Sequence, residues 1–199
     1  MWDKRYATDE YAYGTEPNDF LHENSGALPS GKVLCLAEGE GRNAVWLAQQ
    51  GYDVTAVDSS EVGLQKAEKL AAAQGVSITT HHADLADYDM GSAQWDGIVS
   101  IFCHLPAPLR KSVHQRCVEG LRAGGVLLLE AYTPDQLNYN TGGPPAVDML
   151  MDSELLENEL NQLTFLKLEE RVRDIHEGSF HHGAGAVVQL IAKKGPGQK

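Results

Sequence analysis

Residues 35–43 read CLAEGEGRN, and Gly39 and Gly41 are spaced as in a tight turn that brings backbone N–H groups close to a ligand. Two carboxylates, Glu38 and Glu40, sit in the same turn. Bare N–H groups at a helix start attract a pyrophosphate, whereas acids beside them repel it. A ligand carrying positive charge reverses that preference. Asp58 follows the glycine turn by about twenty residues, the separation at which an acid can accept from a ribose diol. Taken singly, the glycines need only permit a turn, and Asp58 need only cap the next helix. In combination they point to a nucleoside ligand with a cationic portion.

These residues need a frame to hold them. Short aliphatic runs alternate with helical stretches along most of the chain, which predicts an α/β fold. Strands are expected at 32–36, 53–57, 76–82, 95–102 and 125–132, several of them apolar throughout, as strands covered on both faces should be. Helices are expected at 42–50, 61–74 and 107–121, closed by Gly51, Gly75 and the Ala123-Gly124-Gly125 run. After Tyr132 the chain turns to TPDQLNYNTGGPPAVDM, a long loop, then a helix at about 153–160. Two strands, 163–175 and 186–193, joined by the ten-residue connection HEGSFHHGAG, suggest an antiparallel pair at the end of the sheet, and the tail 195–199 reads as disordered.

S-adenosylmethionine combines an adenosine with an α-ammonium and a sulfonium, so it suits an acidic loop followed by Asp58. Glu38 is the better candidate to meet the ammonium, while Glu40 either adds to that acidic character or simply faces water. The chain also resembles the class I S-adenosylmethionine-dependent methyltransferases over nearly its whole length. KVLCLAEGEGRNAVWLAQQGYDVTAVDSS is similar to the family's first motif through its ribose-binding acid, HHADLADY to the adenine segment, WDGIVSIFCHLP to the fourth strand and its loop, and LRAGGVLLLEAY to the fifth strand. WDKRYATDEYAYGTEPNDFL and EGEGRNAVWLA most resemble the tellurite-resistance TehB-type and thiopurine-methyltransferase-like branch.

The resemblance implies one Rossmann-like domain over 1–199: a mostly parallel seven-stranded sheet with an antiparallel C-terminal strand and helices on both faces. It implies that 1–30 covers the cofactor and that 134–160 forms a substrate loop and helix. Gly39 and Gly41 would pass under the methionine portion, Asp58 with Ser59 would bind the ribose, and Asp84 with Leu85 would border the adenine. Phe102 and Cys103 would line the methyl region. Arg5, Tyr13 and Gly14 would come from the covering segment, with Arg5 pairing the cofactor carboxylate. Two positions depart from the family: Cys35 stands where an acid is usual and Ala37 where a glycine is usual, so Glu38 is the substitute anchor and Ala37 must take a negative φ or tolerate strain.

Methyl transfer from a sulfonium is an in-line displacement that positioning alone can accelerate. No D/N-P-P-Y/F signature of amino-group methylation follows the fourth strand; His104 in IFCHLP is the candidate base or substrate-orienting group. Tyr139, Asn140 and His181 are candidate acceptor contacts. His181 and His182 are adjacent and point to opposite faces of a strand, which argues against a shared metal. Cys103 reads as pocket lining rather than a nucleophile.

A net charge of −12 disfavours nucleic acid and anionic lipid, and no apolar run is long enough to cross a bilayer. The three cysteines form no C-x-x-C pair, and the charged, aromatic N-terminus does not read as a secretory signal; a cytoplasmic enzyme with a small-molecule acceptor is the expectation. Two other functions remain open at this point: a nicotinamide oxidoreductase, disfavoured by the loop glutamates and by Ala44 where a third glycine is usual, and a protein that binds the adenosyl ligand without transferring a methyl group.

Overall fold

A computed structural model describes residues 2–196. Two short helices come first, α1 (Trp2–Tyr6) and α2 (Asp19–Asn24). They are followed by β1 (Lys32–Leu36), α3 (Arg42–Gln49), β2 (Asp53–Asp58), α4 (Glu61–Ala73), β3 (Thr79–His82), β4 (Trp95–Ile101), α5 (Ala107–Gly120), β5 (Leu121–Tyr132), α6 (Ser153–Glu159), β6 (Leu163–Glu177) and β7 (His181–Lys194). The strands form one seven-stranded sheet in the order β3-β2-β1-β4-β5-β7-β6. Pairing is parallel from β3 through β5, and β7 runs antiparallel to both of its neighbours.

Alternation along the apolar strands builds two cores, one on each face. Leu34, Leu36, Leu127 and Leu129 pack with Val113 and Cys117 of α5 and Leu156 of α6. Val33, Cys35, Val126 and Leu128 pack on the other face with Phe20 of α2, Leu47 of α3 and Leu64 of α4. Helix starts are secured by short polar side chains: Asn18 accepts from Leu21 N, Ser60 from Gly63 N and Asp152 from Leu155 N.

Several boundaries differ from the sequence reading. β3 begins at Thr79 rather than 76 because Val76 N–H closes α4 on the carbonyl of Ala71. β5 begins at Leu121, directly after α5, rather than at 125. The ten-residue connection is not a loop. The β6–β7 ladder continues through Ile175↔Gly183 and His176↔His182 to Glu177↔His181, so Gly183 and Gly185, which signalled a loop, are ladder residues and only 178–180 turn. The loop after Tyr132 contains two 3-10 turns, Pro134–Asn138 and Val147–Met149. Of the tail expected to be disordered, 197–199 lie outside the described residues. No helix among the described residues is long and apolar enough to cross a membrane.

Candidate functional site

Strand order reverses between β1 and β4, and the loops leaving those two strands flank a crevice at their carboxyl ends. Ala37 leaves β1 with φ 48°, a left-handed conformation that costs a residue with a Cβ about 1–2 kcal/mol. Glu38 then turns back on the following helix. Its Oε1 accepts from Asn43 N at 3.0 Å and Ala44 N at 2.7 Å, so a carboxylate of this chain already holds the anion position at the start of α3. Glu38 Oε2 has no hydrogen-bond partner among the described residues. Burial pushes the Glu38 carboxyl up to about 7, against the pull of those two N–H groups. Across the crevice, Asp58 ends β2. Its Oδ2 accepts from Gly39 N and its Oδ1 from Ser60 N, both at 2.8 Å, and burial still raises its affinity for a proton. Ser59 is exposed beside it.

The N-terminal segment lies directly over this loop. The Tyr6 hydroxyl sits 2.7 Å from the position a Cβ on Gly39 would take, so any larger residue there displaces the ring. Lys66 of α4 holds the segment by donating to the carbonyls of Thr8 and Glu10 at 2.9 and 2.7 Å. Of the two roles left open for Glu40, facing water is ruled out. Glu40 is buried, accepts from Ala12 N at 2.8 Å and pairs with Lys66, so it ties the glycine turn to its cover. Arg5 donates to the Tyr13 hydroxyl at 2.8 Å and stacks over Phe180. Gly14 meets the hairpin turn at Gly178, where a Cβ would strike Ala12 O at 2.3 Å. Ser179 N donates to the same Ala12 carbonyl, which completes the seam between cover and hairpin.

At the end of β4, Phe102 takes φ 51° and donates its N–H to Glu130 O. Its ring stacks on Tyr132 at 4.6 Å and meets His181 edge-on at 4.8 Å. The Cys103 thiol is buried, and burial pushes it up to about 12. His104 Nε2 accepts from the backbone N–H of Tyr132 at 3.0 Å, which places the ring proton on Nδ1. Burial holds the imidazole neutral, with its pKa down at about 3.

His181 points inward, against Tyr13 at 4.7 Å, while His182 points outward and meets His176, which Asp174 also contacts. The inward ring rests on a buried polar cluster that sequence reasoning missed. Glu177 Oε2 accepts from Arg42 at 2.7 Å and lies 3.5 Å from His181 Nδ1; its Oε1 accepts from Asn18 at 2.8 Å. Asn18 also donates to Glu130 at 2.8 Å, and Arg173 spans Glu130 and Glu177. Burial opposes ionisation of Glu177, but His181 and Arg42 hold its carboxyl down at about 2. One signal was available: Glu130 is the lone acid within the otherwise apolar GVLLLEAY.

Asp84 and Leu85 follow β3, and Ala83 N donates to Asp58 O, which sets the two acid-bearing strand ends side by side. Asp84 is exposed and accepts from Ala86 N at 2.8 Å; Leu85 is buried. Tyr139 and Asn140 lie between two anchors of their loop, Gln136 on Ala186 N and Thr141 on Ala184 O, and neither side chain makes a hydrogen bond among the described residues. Among the described residues no group of three or more His, Cys, Asp or Glu is placed to hold a metal. Two surface clefts, one at Ala123, Thr164 and Lys193 and one at Glu16, Trp46 and Gln74, lie away from the crevice and contain none of these groups.

Residues 33–125 match the family model described as "Methyltransferase domain". The "Uncharacterized methyltransferase YbaJ" of Bacillus subtilis is 30% identical over 115 residues, covering 55% of this chain and 44% of that protein. The "Probable S-adenosyl-L-methionine-dependent methyltransferase TehB" of Haemophilus influenzae is 28% identical over 156 residues, 73% of this chain and 50% of that protein. The crystal structure of TehB from Haemophilus influenzae superposes with a TM-score of 0.73 at 22% identity, over 97% of this chain and 65% of that one. A structure described as "Conversion of a Disulfide Bond into a Thioacetal Group during Echinomycin Biosynthesis" superposes at 0.78 with 15% identity, over 97% and 88% of the two chains. The chain spans about half the length of the curated relatives it matches.

Proposed function

We propose that this chain, with a methyltransferase domain at 33–125 and the class I methyltransferase fold around it, transfers a methyl group from S-adenosylmethionine to a small, soft nucleophile such as a thiol or another chalcogen. The observation that carries the reading is Glu38 on the α3 N-terminus. A dinucleotide needs that position bare for its pyrophosphate, whereas a carboxylate there leaves Oε2 to meet an ammonium. The adjacency of Asp58 and Asp84 on neighbouring strand ends supports a ribose and adenine site beside that carboxylate.

The residues present fit the cofactor. Glu38 would hold the ammonium, Asp58 and Ser59 the ribose, Asp84 and Leu85 the adenine, and Arg5 the carboxylate. When bound, the sulfonium supplies an activated methyl group. The chain's own part is to exclude water with Tyr6, Tyr13 and the hairpin turn, and to line the acceptor side with Phe102, neutral Cys103 and the neutral ring of His104. Tyr139 and Asn140 border the same side from their pinned loop. A net charge of −12 keeps polyanionic acceptors away.

The test is incubation with methyl-labelled S-adenosylmethionine and a panel of thiol, selenium, tellurium and amine acceptors, beside calorimetry with S-adenosylhomocysteine and NAD. Label should reach thiols or chalcogens, and the adenosyl ligand should bind while NAD does not. Binding of NAD without either adenosyl ligand sinks the reading, and robust transfer to RNA, DNA or protein overturns the acceptor class.

A further inference from the structure

We infer that His181, oriented by Glu177, is the proton acceptor for the nucleophile, an inference that rests on the methyl-transfer reading above. Burial keeps the Tyr13 and Tyr132 hydroxyls protonated at the end of β4, and of the cysteine and two histidines there, two are disqualified by geometry. The Cys103 thiol is buried, and the Nε2 lone pair of His104 is taken by Tyr132 N–H. His181 is the third. Its Nδ1 faces Glu177 Oε2 at 3.5 Å, a separation that shortens as an imidazole charges, and its Nε2 has no partner among the described residues.

Behind the ring, Glu177 pairs with Arg42 and Arg173, and Arg173 also reaches Glu130 and the exposed Asp19. Tyr13 faces His181 from the covering segment, His104 from the loop after β4, Tyr132 from β5 and Glu177 from β6. None of the first three adds a negative charge at neutral pH. Glu177 therefore fixes the proton on Nδ1 and leaves the Nε2 lone pair free. An acceptor X–H gives its proton to Nε2 and keeps the electron pair for bonding, and the imidazolium, facing Glu177, releases the proton to solvent afterwards.

Two measurements test this. Nitrogen-15 NMR of the imidazoles should show His181 as the Nδ1–H tautomer in the wild type, and Glu177→Gln should disturb it. In parallel, His181→Gln should lower turnover of 2-mercaptoethanol, a weakly acidic thiol, by about a hundredfold, and turnover of thiophenol, largely ionised at neutral pH, by only a few-fold. Its rate profile with 2-mercaptoethanol should lose the limb set by the imidazole, while S-adenosylhomocysteine binding stays unchanged. An Nε2–H tautomer, or equal losses on both thiols, overturns the inference while leaving methyl transfer intact. Should neither thiol be a substrate, the tautomer alone decides. A wild type that binds no adenosyl ligand overturns both.

Discussion

The backbone N–H of Tyr132 donates to Nε2 of His104 at 3.0 Å, so this ring carries its proton on Nδ1 and has no free lone pair to act as a base. His104→Gln should therefore keep activity within a few-fold, because the amide oxygen can accept the same N–H. His104→Leu should destabilise the fold by about 1–3 kcal/mol by orphaning it.

The same burial gives His104 a pH signature. Its folded pKa, about 3, lies below the ordinary value of 6.5, so the unfolded chain binds the extra proton first as pH falls. The ring's contribution to stability is complete above about 6.5 and is lost towards about 3, at no more than about 1.4 kcal/mol per pH unit, and less because solvent still reaches part of the residue. Urea titrations of wild type and His104→Gln across that window should diverge, with the variant less acid-sensitive; parallel curves refute the assignment.

Glu38 has the opposite sign. Its carboxyl is raised to about 7, so its contribution to stability is present below the ordinary carboxylate value and fades as pH climbs through about 7. A cationic ligand favours the ionised form, so adenosyl-ligand affinity should rise with pH through neutrality, with up to about half a proton released per ligand at pH 7. Calorimetry in buffers of different ionisation enthalpy reads that release, and Glu38→Gln should abolish it.

Asp58→Ala should weaken S-adenosylhomocysteine by roughly tenfold to a hundredfold, equivalent to about 1–3 kcal/mol for ribose hydroxyls left without an acceptor. It should also lower the melting temperature by freeing Gly39 N–H and Ser60 N–H. A folded variant with unchanged affinity places the ribose elsewhere.

Ala37 carries a Cβ at φ 48°, so Ala37→Gly should relieve strain and stabilise by up to about 1 kcal/mol, after the greater freedom of the unfolded glycine is subtracted. The melting temperature should rise by about 2–4 °C. A fall would show that the Ala37 methyl makes packing contacts that outweigh the strain.

What could be read from the sequence was what local spacing encodes. β1, α4 and the separation of Gly39 from Asp58 follow from period and turn chemistry within about twenty residues. The hairpin's extent and the anchor of the cover could not be read where long-range contacts decide them. Gly183 and Gly185 signalled a loop, yet pairing with β6 makes them strand, and the local charge of Glu40 gave no notice of Lys66 on α4. Asn18 reaches Glu130 and Glu177 across 112 and 159 positions, distances at which no periodicity leaves a trace.

That last separation also orders events during synthesis. A ribosome adding about 5–20 residues per second needs roughly 8–30 s to travel from Asn18 to Glu177. Once Asp58 has been added, about a quarter of the way through that interval, the glycine turn and Asp58 are both made, while Arg42 and Asn18 still lack the carboxylate that links them to the hairpin. A nascent chain can thus shape its nucleoside crevice early, but it cannot orient His181 until its closing strands emerge, so an unfinished chain has the donor side of the site without the acceptor side.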